Sequence, residues 1–204
     1  MIPLESLIER VCRTEHGFKD ITAVADGLYV DQSPEDNLQI ATTLLEHEKR
    51  QPRCLATFLL GRLAAKSSRS LHILRTKVSK DPDWRVQEIL AKAFDRYCAD
   101  VGYKKALPVI EDWLSDPSPK VRRAVTEGLR IWTGRSYFKD HPLVAIRMLS
   151  QHRDEDSKYL RKSVGNALHD IGKKYPDLVR AELKGWEITD SKAAYTYKLA
   201  KRSL

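Results

Sequence analysis

Glu127 lies four residues after Arg123 and three before Arg130, so on a helix one carboxylate and two guanidinium groups share a side. Glu88 lies four residues after Trp84, again on one helical side. Gly128 follows Glu127 and leaves room for a close approach, and Trp132 comes four residues later. A carboxylate, a guanidinium and an indole beside basic residues make a candidate nucleic-acid site. Each part also has an ordinary reading. Glu127 could be an ion-pair residue between its arginines, Glu88 could pair with Lys92, and both tryptophans could be core aromatics. The bases expected on phosphate are Arg122, Arg123, Arg161, Lys162 and Lys173, with Arg130, Arg135 and Lys174 beside them.

Other chemistries lack their signatures. There is no glycine-rich phosphate loop, no pair of Cys or His at metal-ligand spacing and no serine elbow, so neither a metal nor a cofactor is expected. The six histidines are scattered. Cys12, Cys54 and Cys98 are odd in number, far apart and set among apolar neighbours, which reads as reduced core thiols.

The elements that must hold these residues repeat. D-P-S-P-K-V-R-R-A-V-T-E-G-L-R from Asp116 returns as D-S-K-Y-L-R-K-S-V-G-N-A-L-H-D, each carrying a basic doublet near a helix start, Arg122/Arg123 and, 39 residues later, Arg161/Lys162. D-P-D-W-R-V-Q-E-I-L-A-K-A-F from Asp81 is a third copy, with Val86 matching Val121. A helical period of 35 to 39 residues predicts an α-solenoid of HEAT-like helix pairs, all-α, with a concave basic groove. Ser33-Pro34-Glu35, Asp81-Pro82-Asp83, Asp116-Pro117-Ser118-Pro119, His141-Pro142 and Tyr175-Pro176-Asp177 read as helix starts. Cys54 to Ala65 reads as an apolar helix interrupted at Gly61 and Arg62, Thr133–Ser136 as a loop, and the tail after Asp190 as a last basic helix.

Composition locates the charge. The 204 residues carry a net +8, and from Pro117 to Lys174 there are 13 Lys plus Arg against 6 Asp plus Glu, leaving 23 against 22 elsewhere. Basicity concentrated in two repeats is the footprint of a polyanion partner. No apolar run is long enough for a membrane span, and the N-terminus lacks a signal peptide's apolar core, so a cytoplasmic protein with no membrane partner is expected. One repeat domain over residues 1–204 and a monomeric state are expected as well.

V-R-R-A-V-T-E-G-L-R-I-W (Val121 to Trp132) and Y-L-R-K-S-V-G-N-A-L-H-D-I-G-K-K-Y-P-D (Tyr159 to Asp177) resemble the bacterial DNA alkylation repair proteins of the AlkC/AlkD superfamily, the AlkC-like branch most closely. The resemblance is good over residues 80–186 and only general in the N-terminal third. The chain departs from the branch at Arg130-Ile131-Trp132-Thr133 and at His169-Asp170.

That resemblance implies a DNA glycosylase acting on duplex DNA at purines alkylated at N3 or N7, with an acidic residue near the deoxyribose and no deep base pocket. By motif Glu127 takes the carboxylate role, with Glu88 a second acidic residue on the preceding repeat. Trp84 and Trp132, each near a candidate carboxylate and at a repeat boundary, are expected to line the groove near the lesion. An N3- or N7-alkylated purine leaves as a neutral base, so no general acid is required; a carboxylate can stabilise the oxocarbenium-like sugar. Two other classes stay open: a DNA-binding relative without catalysis, and a HEAT-type scaffold whose basic face meets an acidic protein.

Overall fold

The computed structural model describes residues 3–204. Among them are thirteen α-helices and three short 3-10 turns, with no strand. The chain groups into two compact units, Met1–Asp100 and Val101–Leu204. Unit 1 holds α1 (Leu4–Cys12), α2 (Lys19–Asp31), α3 (Pro34–Leu44), α4 (Arg50–Leu63), α5 (Ser68–Thr76) and α6 (Trp84–Val101). Unit 2 holds α7 (Tyr103–Leu114), α8 (Pro119–Gly128), α9 (Ser136–Asp140), α10 (Pro142–Ser150), α11 (Lys158–Gly172), α12 (Pro176–Lys184) and α13 (Ser191–Ala200).

The expected starts form for local reasons. Ser33 accepts from the Asp36 amide and Pro34 opens α3, so an orphan N–H is satisfied where proline loses nothing. Two expectations change. α4 runs unbroken through Gly61 and Arg62: a Cβ at position 61 would stand 2.7 Å from the Ala93 Cβ, so glycine there lets α6 approach closely. Arg62 is buried, with Nε donating to Asp26 Oδ1 at 2.7 Å and Nη1 to the Phe58 carbonyl at 3.0 Å. The Thr133–Ser136 stretch is a 3-10 turn over Trp132–Gly134 that leads into α9.

The unit 1 core forms around α4, whose Leu55, Leu59 and Leu60 are buried with Leu74, Ile89 and Phe94. In unit 2 the buried stripe of α11, Leu160, Val164, Leu168 and Ile171, plays that part, with Val125 and Leu149. α8 and α11 are tied by hydroxyls, Thr126 to Ser163 at 2.6 Å, which satisfies two polar groups that burial would otherwise strand.

One device recurs along the chain. The side chains of His47, Asp81, Asp116 and Asp190 each accept a hydrogen bond from the backbone N–H two residues on, at 3.0, 2.8, 2.8 and 3.2 Å. Six residues after each of these four, and after Glu155, comes a helix side chain that reaches back or across to backbone carbonyls. Arg53 donates to the His47 and Glu48 carbonyls, Gln87 to the Asp81 carbonyl, Arg122 to the Asp116 carbonyl and Arg161 to the Glu155 and Asp156 carbonyls. The fifth, Thr196, donates to the Arg153 carbonyl. Two of these arginines also grip the next turn's carboxylate: Arg53 Nε to Asp81 Oδ2 at 2.7 Å and Arg122 Nη2 to Glu155 Oε2 at 2.6 Å. Helices α4, α6, α8, α11 and α13 therefore start in a common register, counted from the residue that opens each turn.

Candidate nucleic-acid interface

That register sets which way each basic doublet faces. Arg122 and Arg161 are the fasteners just described, their guanidinium groups turned to loop carbonyls and, for Arg122, to Glu155. Glu155 is held on its other oxygen by His152 Nδ1 at 2.7 Å. The second residue of each doublet is rotated about 100° around its helix. There Arg123 is half-buried and Lys162 exposed. Arg135 is a further fastener: its Nη1 and Nη2 donate to the Ile131 and Gly128 carbonyls at 3.1 and 3.0 Å, near the end of α8.

Unit 2 gathers Glu127 into a chain of charges. Its carboxylate stands 3.9 Å from Arg123 and 4.0 Å from Arg130, and its side chain is 22% exposed. Arg130 reaches on to Asp170 at 3.1 Å, and Lys173 meets the other Asp170 oxygen at 2.8 Å. Burial pushes the Asp170 carboxyl up, but hydrogen bonds from Lys173 and Arg130 outweigh that and hold it below its ordinary value. Desolvation, with Lys173 and Arg202 nearby, lowers the neighbouring His169. Lys174 is exposed beside the Tyr175 ring.

Trp132 is a correction. Its indole is fully buried and packs edge-on against Phe138 with ring centroids 4.8 Å apart, so it belongs to the unit 2 core instead of a surface that a lesion could reach. The 3-10 turn, in place of an open loop, is what turns it inward.

Unit 1 treats its tryptophan the other way. Trp84 is 62% exposed at the first turn of α6, with the Arg85 guanidinium 4.6 Å from its ring centroid. One turn on, the Glu88 side chain is 45% exposed and meets Lys92 only at 3.8 Å. The Lys92 ammonium also lies 5.0 Å from the Phe18 ring centroid. Phe18, Trp84 and Arg85 line a cleft of about 280 Å³ together with residues of the α1–α2 loop and the start of α4. The structure thus brings Glu88 and Trp84 together in unit 1, and Glu127, Arg123, Arg130 and Lys173 together in unit 2. Sequence reasoning missed Asp170, whose only signal was its i,i+3 spacing to Lys173. Of the cleft it named only Trp84 as a site residue, since no motif marks the N-terminal third.

The family model described as DNA alkylation repair enzyme matches residues 18–198. The chain belongs to that family. Among solved structures it is similar to AlkD2 from Streptococcus mutans, with a TM-score of 0.95 and 46% identity over 98% of this chain and 96% of that one. The alkylpurine DNA glycosylase AlkC of Pseudomonas fluorescens, solved bound to DNA containing an abasic site analogue, has a TM-score of 0.71 and 21% identity, over 91% of this chain and 52% of that one. At that identity AlkC shows the fold alone. The expected place nearest the AlkC-like branch is therefore corrected: this chain of the family lies closer to AlkD2 than to AlkC. A curated relative, the uncharacterised protein YhaZ of Bacillus subtilis (strain 168), is 31% identical over 105 residues, which is 50% of this chain and only 29% of YhaZ. The fold is an all-α HEAT-like repeat, and among the described residues no helix is long and apolar enough to cross a membrane.

Proposed function

We propose that the protein is a DNA N-glycosylase that removes purines alkylated at N3 or N7 from duplex DNA, with Glu88 as the carboxylate that stabilises the sugar cation. The observation that carries this reading is the exposed indole of Trp84 with the lightly held carboxylate of Glu88 one turn away on α6. A large exposed aromatic is costly to leave in water without a use, and an indole face suits a base or a sugar. Alkylation makes the base a cationic leaving group, so the bond breaks without a proton donor. The electron pair of the glycosidic bond goes to the base, and positive charge grows on C1′ and the ring oxygen. A carboxylate near that sugar can lower the barrier by about 3 kcal/mol, roughly a hundredfold in rate. Glu127 is the corresponding candidate of unit 2, and Arg123, Lys162, Lys173 and Lys174 are the bases offered to phosphate.

A second reading, DNA binding without excision, draws on the ion pairs around Glu127: a carboxylate between Arg123 and Arg130 has less charge left for a sugar. Single-turnover release of methylated purine by wild type, Glu88→Gln and Glu127→Gln separates the two. The glycosylase reading expects a fall of about a hundredfold for Glu88→Gln with DNA binding kept. Equal rates for wild type and Glu88→Gln would remove Glu88 from the chemistry, and no release by wild type would leave the binding reading. A scaffold that meets an acidic protein would lack the steep salt dependence of DNA binding.

A further inference from the structure

A second cleft of unit 1 lies at the other end of α4, about 20 Å along the helix axis from the cleft beside Trp84. At about 410 Å³ it falls within the size range of small-molecule sites. One wall is the start of α5, a helix of nine residues. Ser67 caps it by accepting from the Ser70 amide, and the amides of Ser68 and Arg69, first in the helix, have no intrahelical acceptor. Lys66 and Arg69 are both exposed, and among the described residues neither is paired with a carboxylate; the Lys66 ammonium stands 5.9 Å from the Tyr29 ring centroid. Another wall comes from the α2–α3 turn. There Asn37, 1% exposed, donates through Nδ2 to the Leu28 carbonyl at 3.1 Å and the Gln32 carbonyl at 3.3 Å. Those two bonds fix the amide, because the flipped form would set an oxygen against two carbonyls. Oδ1 of Asn37 is thereby left buried and without a hydrogen-bond partner, on a residue that lines the cleft. A buried acceptor without a donor is costly, so what this place lacks is a donor from outside.

We infer that this cleft binds a free nucleoside monophosphate, its phosphate on Lys66, Arg69 and the open amides of α5, and a base N–H donated to Asn37 Oδ1. A helix N-terminus with two cations beside it suits a phosphate, which brings up to two negative charges and several acceptor oxygens. The Tyr29 ring with Leu38 and Leu63 offers the apolar surface that a planar base needs, and Glu35, the one acid on the lining, suits the hydroxyls of the sugar. Inorganic phosphate would leave the Asn37 acceptor and the apolar surface unused, and an uncharged nucleoside would leave the two cations unused. The inference goes beyond the proposed function: it needs neither excision nor DNA binding, and its ligand is a small molecule instead of a strand.

Calorimetric titration of the protein with the common ribonucleoside monophosphates, ribose 5-phosphate and inorganic phosphate tests this. At least one of the nucleotides should bind and raise the melting temperature, with ribose 5-phosphate and inorganic phosphate weaker by about tenfold or more. Lys66→Glu with Arg69→Glu, both at exposed positions, should weaken nucleotide binding by about tenfold or more and leave the ligand-free melt nearly unchanged. Trp84→Ala should bind the same nucleotide as tightly as wild type does, since that indole belongs to the cleft at the other end of α4. No binding of any of the nucleotides at millimolar concentration would overturn the inference. So would inorganic phosphate that binds as tightly as the nucleotide, or a charge-reversed variant that binds like wild type. Loss of binding in Trp84→Ala would overturn it as well, by placing the ligand in the other cleft. Purine release from DNA enters none of these outcomes, so the glycosylase reading and this one stand or fall separately.

Discussion

Arg122→Ala should cost stability first, and DNA affinity only as a consequence. The side chains of Arg122 and Glu155 are 15% and 17% exposed, and the guanidinium joins the Asp116 carbonyl to the Glu155 carboxylate 33 residues further on. Removing one partner of a buried pair leaves the other charge without its counterion, at about 3 to 5 kcal/mol. Partial exposure and the remaining contact of Glu155 with His152 reduce that to about 2 to 3 kcal/mol. For a chain of this size each kcal/mol moves the melting temperature by roughly 2 to 4 °C, so a fall of about 5 to 10 °C is expected. Arg123→Ala, one residue on, breaks only a half-exposed i,i+4 pair at 3.9 Å, worth about 0.3 to 0.5 kcal/mol. Arg122→Lys should fall between, since an ammonium cannot span both partners as a planar fork does. The assay pairs thermal melts with DNA binding over a salt series. Arg123→Ala with Lys162→Ala should lower the salt slope by about two units and leave the melt nearly unchanged. A stable Arg122→Ala that lowers the slope as much would refute the fastener assignment and return Arg122 to the phosphates.

Two more outcomes follow from burial and charge. Trp132→Ala empties a fully buried site beside Phe138 and should destabilise by about 3 to 5 kcal/mol in denaturant melts, with excision by any folded fraction unchanged; a stable variant with altered DNA binding would restore the surface role. Asp170 titrates below its ordinary value in the folded protein, so its stabilisation is present above the unfolded carboxyl pKa of about 3.9 and is lost as pH falls through the lower folded value. The gap in melting temperature between wild type and Asp170→Asn should thus be widest near neutral pH and narrow as pH falls below about 3.9; a gap that stays constant through that fall would contradict the ion-pair account.

Helix starts could be read from the sequence because their chemistry is local. Asp81 and Asp116 bond amides two residues away, and a side chain that caps its own turn leaves its mark within a few residues. α2 left no such mark, since Phe18 at its start makes no side-chain cap. The repeat showed three copies of what are five turns: the first opens on His47 where the others have an acid, and the last has Thr196 in the fastener place. Facing was the least legible property. Arg122 and Arg123 are equivalent in charge and adjacent in sequence, and the Asp116 carbonyl with the distant carboxylate of Glu155 holds Arg122 and not Arg123. Trp84 and Trp132 were likewise alike as residues, and the packing of Phe138 separates them.

The common register gives the two glutamates different standing. Counting from each fastener, the next position holds Cys54 on α4, Glu88 on α6, Arg123 on α8 and Lys162 on α11. One turn further the signs reverse, with Lys92 on α6 and Glu127 on α8. The pairs Glu88–Lys92 and Arg123–Glu127 are thus the same pair of places with the charges exchanged, at 3.8 and 3.9 Å. Because the fastener fixes the phase of its helix, α8 and α11 present a base at the place where α6 presents an acid. A helix that meets only phosphate gains nothing from a carboxylate there, since like charges repel. On the glycosylase reading proposed above, the acid at that place on α6, beside an exposed indole and without a second arginine, answers the positive charge that forms on the sugar. Glu127 sits one turn deeper, between two arginines that already answer it, and its spacing is accounted for by the charge chain to Asp170.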